Sequence, residues 1–136
     1  MQVDFSKAEG VEFFNNLEKH FKDKDVSMLI NNVEFGDYGS FLDMKLKDAR
    51  DMFVVNCVPV TLLTRKVVPY MLERKKKSAI INMSSQLSEV VLPNRALYCA
   101  TKRYIDYLSR SLSEELGDGY RELGVGIGYW VLGLGC

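Results

Sequence analysis

Ser78-Ala79-Ile80-Ile81-Asn82-Met83-Ser84-Ser85 is a short, mostly apolar run that ends in hydroxyls, and its reading decides the fold. A run of this length and character suits a parallel strand buried on both faces. After the loop Gln86 to Arg95, the segment Leu97 to Leu116 carries Leu97, Ala100, Tyr104, Leu108, Leu112 and Leu116 at three- and four-residue steps, which predicts a helix. In open α/β sheets ligands bind beyond the carboxyl ends of the strands, and Ser85 falls at such an end.

Working outward, the same strand-then-helix pattern recurs. Val3 to Phe5 reads as the tail of a strand. Ser6-Lys7-Ala8-Glu9 fits a capping box, with Ser6 at the cap and Glu9 reaching back. Val11, Phe14, Leu17 and Phe21 then step along one face of a helix ending near Lys22. Val26 to Ile30 is a second short strand, followed at once by Asn31-Asn32 and a loop, Glu34 to Ser40, with two glycines. Asp43 to Leu72 reads as mostly helical, although Pro59 removes a backbone donor and predicts a kink. The positive run Arg74-Lys75-Lys76-Lys77 complements the helix dipole and reads as a solvated terminus. Val125 to Val131 reads as a last strand, weakened by Gly126 and Gly128. Strands alternating with helices imply parallel pairing through right-handed crossovers. The fold class is α/β, a single domain over residues 1–136.

With 136 residues and 47% hydrophobic content the chain supports one usable core. Eighteen basic and eighteen acidic residues leave a formal charge of zero, which argues against a nucleic-acid footprint. Cys57, Cys99 and Cys136 have no metal-ligand spacing, and His20 is the only imidazole, so no metal site is expected. The odd cysteine count and an N-terminus unlike a secretory leader point to an intracellular, reducing compartment. No apolar stretch is expected to reach the roughly twenty residues that cross a bilayer.

The chemistry sits in Tyr98-Cys99-Ala100-Thr101-Lys102, thirteen residues beyond Ser85. On a helix a spacing of four puts Tyr98 and Lys102 on one face, one turn apart. A free phenol ionises near 10, and an ammonium one turn away favours the phenolate and brings it toward a working range. Ser85 is then placed to hydrogen-bond a substrate oxygen while Tyr98 gives or takes its proton. The alternative reading of Ser85 is a cap or loop hydroxyl.

Together these segments resemble the short-chain dehydrogenase/reductase family. Asn31-Asn32-Val33 after a strand is similar to the family's Asn-Asn-Ala-Gly segment, and Asn56, Ser85, Tyr98 and Lys102 match its catalytic tetrad. Asp4 resembles the acid that contacts the cofactor's adenine ring. Asn-Asn-Val, Val68-Pro69-Tyr70-Met71-Leu72-Glu73-Arg74 and the Tyr–Lys motif look closest to the branch of 17β-hydroxysteroid dehydrogenases and very-long-chain 3-oxoacyl-CoA reductases. The resemblance implies a partial Rossmann-like sheet and NAD or NADP chemistry on a lipid-like carbonyl or alcohol. Tyr98 would be the general acid/base, and Lys102 would lower its pKa and hold the nicotinamide ribose. Ser85 would orient the substrate and Asn56 a relay water. Asp4, Asn31, Asn32 and Val33 would line the cofactor.

Departures from the family pattern are equally specific. No glycine cluster precedes a helix, and matching positions lack the family's first β-α-β unit and its C-terminal substrate-binding segment. Glu34 stands where a Gly follows Asn-Asn-Val, Pro59 where a small residue is usual, and Leu132 where a Pro precedes the Gly matched by Gly133. Two functions follow. One is an oxidoreductase portion inactive as this chain alone, and the other a non-catalytic structural subunit. Both expect protein partners, on an open sheet edge and on the helices Asp43 to Leu72 and Leu97 to Leu116.

Overall fold

The computed structural model describes residues 1–8, 10–117 and 123–129, with Gly117 and 123–129 described as backbone. Three parallel strands, β1 (Met28–Asn31), β2 (Ser78–Ser84) and β3 (Leu123–Tyr129), lie in the order β1-β2-β3. Helix α1 (Val11–Glu18) precedes β1, α2 (Leu46–Glu73) joins β1 to β2, and α3 (Ala96–Gly117) leads from β2 toward β3. The register sets Leu29 beside Ile80, Asn31 beside Asn82, and Ile80 beside Val125. The α/β class and the parallel pairing are as the sequence implies.

Strand order explains which face of the sheet is covered. The strands advance in one direction, and right-handed crossovers taken in one direction put their helices on the same side. Residues on β2 accordingly alternate, with Ser78, Ile80, Asn82 and Ser84 buried and Ala79, Ile81 and Met83 only half-buried. On the covered face Ile80 packs with Val67 and Met71 of α2 and Leu116 of α3, flanked by Leu29, Leu72 and Leu112. The other face leaves Met28 and Ile30 more than half exposed. The strand expected to be buried on both faces is therefore buried on one, because both connections among the described residues lie on the same side. Among the described residues β1 pairs only with β2, which leaves its other edge open.

Several local expectations change. Val3 to Phe5 is not a strand. Phe5–Lys7 forms a 3-10 turn capped by Asp4, whose carboxylate accepts from the Ser6 amide at 3.0 Å. The short Asp carboxylate next to the turn reaches that amide, so Asp4 rather than Ser6 is the cap. Helix α1 starts at Val11 behind Gly10, whose φ of 85° is a backbone state only glycine adopts freely. Glu9, the partner expected in the capping box, lies outside the described residues. So do Trp130 and Val131 of the last strand, together with Leu132 and Gly133. Val11 is exposed, and the buried face of α1 centres on Phe14, which stacks with Phe5 and meets Phe13 edge to face.

Helix α2 runs without interruption through Pro59 and Pro69. Contrary to expectation, α2 is the one helix among the described residues long and apolar enough to cross a membrane, with a mean hydropathy of 1.3 over its best window. Arg65 and Lys66 break the run to the eye but do not outweigh its valines and leucines. The buried Asn56, Thr64 and Val67 show α2 acting as the central core helix of an α/β domain, which meets the same length and composition test. At its C-terminus Arg74 reaches Asp25, the Lys77 carbonyl and the Ser78 hydroxyl, so the basic run there is a terminus, as expected.

Candidate functional site

The site forms where β2 ends. Ser84, its last residue, donates its hydroxyl to the Lys102 carbonyl at 2.9 Å and so fixes the start of α3 against the strand. Ser85 follows directly beyond the carboxyl end, as the topology rule requires. Its hydroxyl accepts from the Leu87 amide at 3.2 Å and caps the 3-10 turn Gln86–Ser88. The cap reading is thus realised, on the same residue that the resemblance places in the tetrad.

Tyr98 and Lys102 are one turn apart on α3, as their spacing demands. The Lys102 ammonium lies 5.7 Å from the Tyr98 ring centroid. Only 1% of the Lys102 side chain is exposed, so its charge needs partners inside the protein. It finds two, donating to the Met83 carbonyl at 3.0 Å and pairing with the Glu34 carboxylate at 2.7 Å. The same Glu34 oxygen accepts from the Tyr98 hydroxyl at 3.1 Å.

Burial, with that bridge adding to it, reverses the expected ionisation of Tyr98. Burial holds its pKa above the free value of 10.0, and the adjacent Glu34 charge adds to the rise. The Ser85 hydroxyl and Arg95 pull the other way without cancelling it. The sequence expectation weighed Lys102 alone. In the folded chain the Lys102 charge is paired with a carboxylate that disfavours the phenolate. Tyr98 is therefore a neutral phenol near pH 7.

Asn56 is fully buried in α2. Its carbonyl oxygen accepts from the Phe35 amide at 2.7 Å, and its NH2 group donates to the Phe35 carbonyl at 2.9 Å and to Thr101 at 3.0 Å. Both amide donors are used on protein atoms. The side chain acts as a clamp between the loop after β1 and α3. Thr101 is a member of the site that spacing did not single out. Its signal was its place between Tyr98 and Lys102 on the face turned toward α2.

The residues matched to a cofactor have differing surroundings. Asn31 is buried, donating to Asn82 at 2.7 Å and to Thr64 at 3.2 Å, while Asn82 donates to Ser109 at 2.8 Å. This is a polar tie between the sheet and both helices. Asp4 is exposed in its turn, its pKa lowered chiefly by the Ser6 hydroxyl and amide. Asn32 and Val33 are exposed in the loop after β1. Cys57, behind the site, is a buried thiol whose pKa desolvation raises to about 11, with Lys102 pulling it down. It is unreactive at neutral pH.

A parallel sheet with crossover helices on one face and a Ser, Tyr and Lys at its carboxyl edge is the arrangement of a Rossmann-type α/β protein. Residues 1–122 match the short chain dehydrogenase family, and the chain belongs to that family. It is 37% identical over 115 residues to inactive hydroxysteroid dehydrogenase-like protein 1 of Homo sapiens, a match covering 83% of this chain and 34% of that protein. It is 33% identical over 129 residues to the very-long-chain 3-oxoacyl-CoA reductase of Homo sapiens, covering 90% of this chain and 38% of the relative. The chain thus spans little more than a third of the curated relatives it matches. Among solved structures, 4-hydroxyisoleucine dehydrogenase complexed with NADH superposes with a TM-score of 0.80 at 25% identity, over 93% of this chain and 55% of the other. The same enzyme complexed with NADH and succinate gives 0.81 at 25%, over 93% and 58%.

Nicotinamide cofactors accordingly belong to this family. The residues matched to one here do not fit it as they stand. Glu34 occupies both Tyr98 and Lys102, Asn31 is turned inward, and the Asp4 carboxylate is engaged with Ser6.

Proposed function

We propose that this chain carries the proton-transfer portion of an NAD(P)(H)-dependent oxidoreductase for the carbonyl or alcohol of a lipid-like substrate, such as a steroid or 3-oxoacyl chain. As 136 residues alone it does not turn over. The observation that carries this is the convergence of Ser85, Tyr98 and Lys102 at the carboxyl end of β2. In that role Ser85 hydrogen-bonds the substrate oxygen and Tyr98 exchanges its proton. The name of the reductase relatives supports the substrate class, and the word inactive in the name of the others supports the lack of turnover.

The second reading, a structural subunit, is favoured by the exposed Met28 and Ile30 and by the open edge of β1. In that reading other protein chains cover this face, inside a reducing compartment.

Calorimetric titration with NADPH and NADH tests the choice, on the wild-type chain and on Glu34→Gly. Saturable binding that is lost in Lys102→Ala is the expected result. No binding by either protein at millimolar cofactor overturns the oxidoreductase reading in favour of the subunit.

A further inference from the structure

We infer that Glu34-Phe35-Gly36 is a built-in cap on the Tyr98–Lys102 pair, in which Glu34 is the positioning residue that an incoming hydroxyl-bearing ligand has to displace. Three successive residues make three independent contacts. The Glu34 carboxylate bridges the Lys102 ammonium at 2.7 Å and the Tyr98 hydroxyl at 3.1 Å. The Phe35 peptide is held at both its N–H and its C=O by Asn56. The Gly36 backbone lies so close to Tyr98 that a Cβ there would stand 3.1 Å from two atoms of the ring.

The charges make this more than a chance contact. Lys102 is buried and would otherwise face a single carbonyl, so Glu34 neutralises a cation that the fold cannot leave unpaired. Glu34 itself keeps 45% of its side chain exposed, so swinging outward returns it to water at little desolvation cost. A neutral group with two hydroxyl oxygens would replace both of its hydrogen bonds. That the displacing ligand is a nicotinamide dinucleotide rests on the function proposed above, but the cap does not.

The test uses Glu34→Gln, which removes the charge and keeps the size, and Glu34→Gly, which removes the cap. With 13C at tyrosine Cζ, the Tyr98 signal is identified by its absence from Tyr98→Phe and followed with pH. Arg95, Lys102 and Ser85 still face the phenol in both variants. The cap requires the Tyr98 midpoint to fall in Glu34→Gln relative to wild type. A Glu34 that merely packs changes the melting temperature and leaves the phenol in place, which overturns the inference. Calorimetry with NADPH and NADH adds a second arm. Affinity about tenfold tighter in Glu34→Gly supports the cap, and equal, measurable affinity in both overturns it. Absence of binding in both overturns the oxidoreductase reading, and the phenol midpoint still decides the cap.

Discussion

The two faces of the sheet are built from the same strands and differ by one residue of register. On the covered face Leu29, Asn31, Ile80 and Asn82 meet α2 and α3, where Ile80 and Asn82 are fully buried. On the open face Met28 and Ile30 are 53% and 55% exposed. The open face is the more apolar of the two, so hydrophobic composition does not mark which interface is finished and which still wants a layer. What does is the presence of buried polar groups that are satisfied. The covered face carries the Asn31–Asn82–Ser109 tie, which helices on that side complete. The open face presents bare aliphatic side chains next to an unpaired edge, the kind of surface that a partner or a further segment covers.

Substitutions at matched depth test this contrast. Ile80→Ala removes buried methyl groups from the cluster of Val67, Met71 and Leu116, and about 2–5 kcal/mol of stability is expected to go with them in urea unfolding. Ile30→Ala, on the open face one strand away, is expected to stay within about 0.5 kcal/mol. Comparable losses would break the contrast and show that the open face is covered in solution, by a second copy or by another chain. The next largest effect falls on the polar tie. Asn82→Ala leaves the Asn31 amide and the Ser109 hydroxyl short of a partner, which costs about 1–3 kcal/mol. A neutral result would mean that water replaces Asn82 and that the tie is not what seals this face.

Much of the covered face was legible in the sequence, and the open face was not. The period of Leu97, Ala100, Tyr104, Leu108, Leu112 and Leu116 is a one-dimensional record of helix burial, and α3 follows it within a residue at each end. The run Ser78 to Met83 points to β2 but not to its one-sided burial, because the buried positions Ser78, Ile80, Asn82 and Ser84 are more polar than the half-buried Ala79, Ile81 and Met83, so the alternation points to the wrong face. The end of the first segment failed for a local reason, since the Asp4 carboxylate accepts from both the amide and the hydroxyl of Ser6, which makes Ser6 a donor in the turn and not its cap. At the site, Ser85, Tyr98 and Lys102 were readable because their spacing is set by a single strand end and a single helix. The charge on Tyr98 was not readable from its own helix. It depends first on burial and then on Glu34, sixty-four residues away in sequence, which the fold brings to within 3.1 Å.

The smallest effect separates the covered face from the rim of the molecule by pH. The covered core and its amide tie carry no charge, so their contribution is flat with pH and any slope comes from elsewhere. At the start of α2, the Asp51 carboxyl is held below its ordinary 3.8 chiefly by Lys47, and then by Arg50. Glu18, beside Lys66 and Tyr70, and Asp25, beside Arg74, are lowered in the same way. A carboxyl lowered on folding contributes stability that is in place above its unfolded pKa and is lost as pH falls through the folded one. The urea midpoint should therefore be level near neutrality and fall below about pH 4, less steeply in Asp51→Asn. Because Lys47 and Arg50 are 79% and 47% exposed, the difference between the two proteins should shrink in high salt. Tyr98 shares the opposite limb with Tyr70, raised chiefly by its hydrogen bond to Glu18, and with the Cys57 thiol, raised by burial to about 11. The raised pKa of Tyr98 favours the neutral phenol in the fold, so its own contribution is full below pH 10 and is lost as pH rises through the folded value. Tyr98→Phe should make the alkaline decline shallower and leave the acid limb untouched. An acid limb equally steep in wild type and Asp51→Asn would place the titrating carboxylates elsewhere and remove the rim from this account.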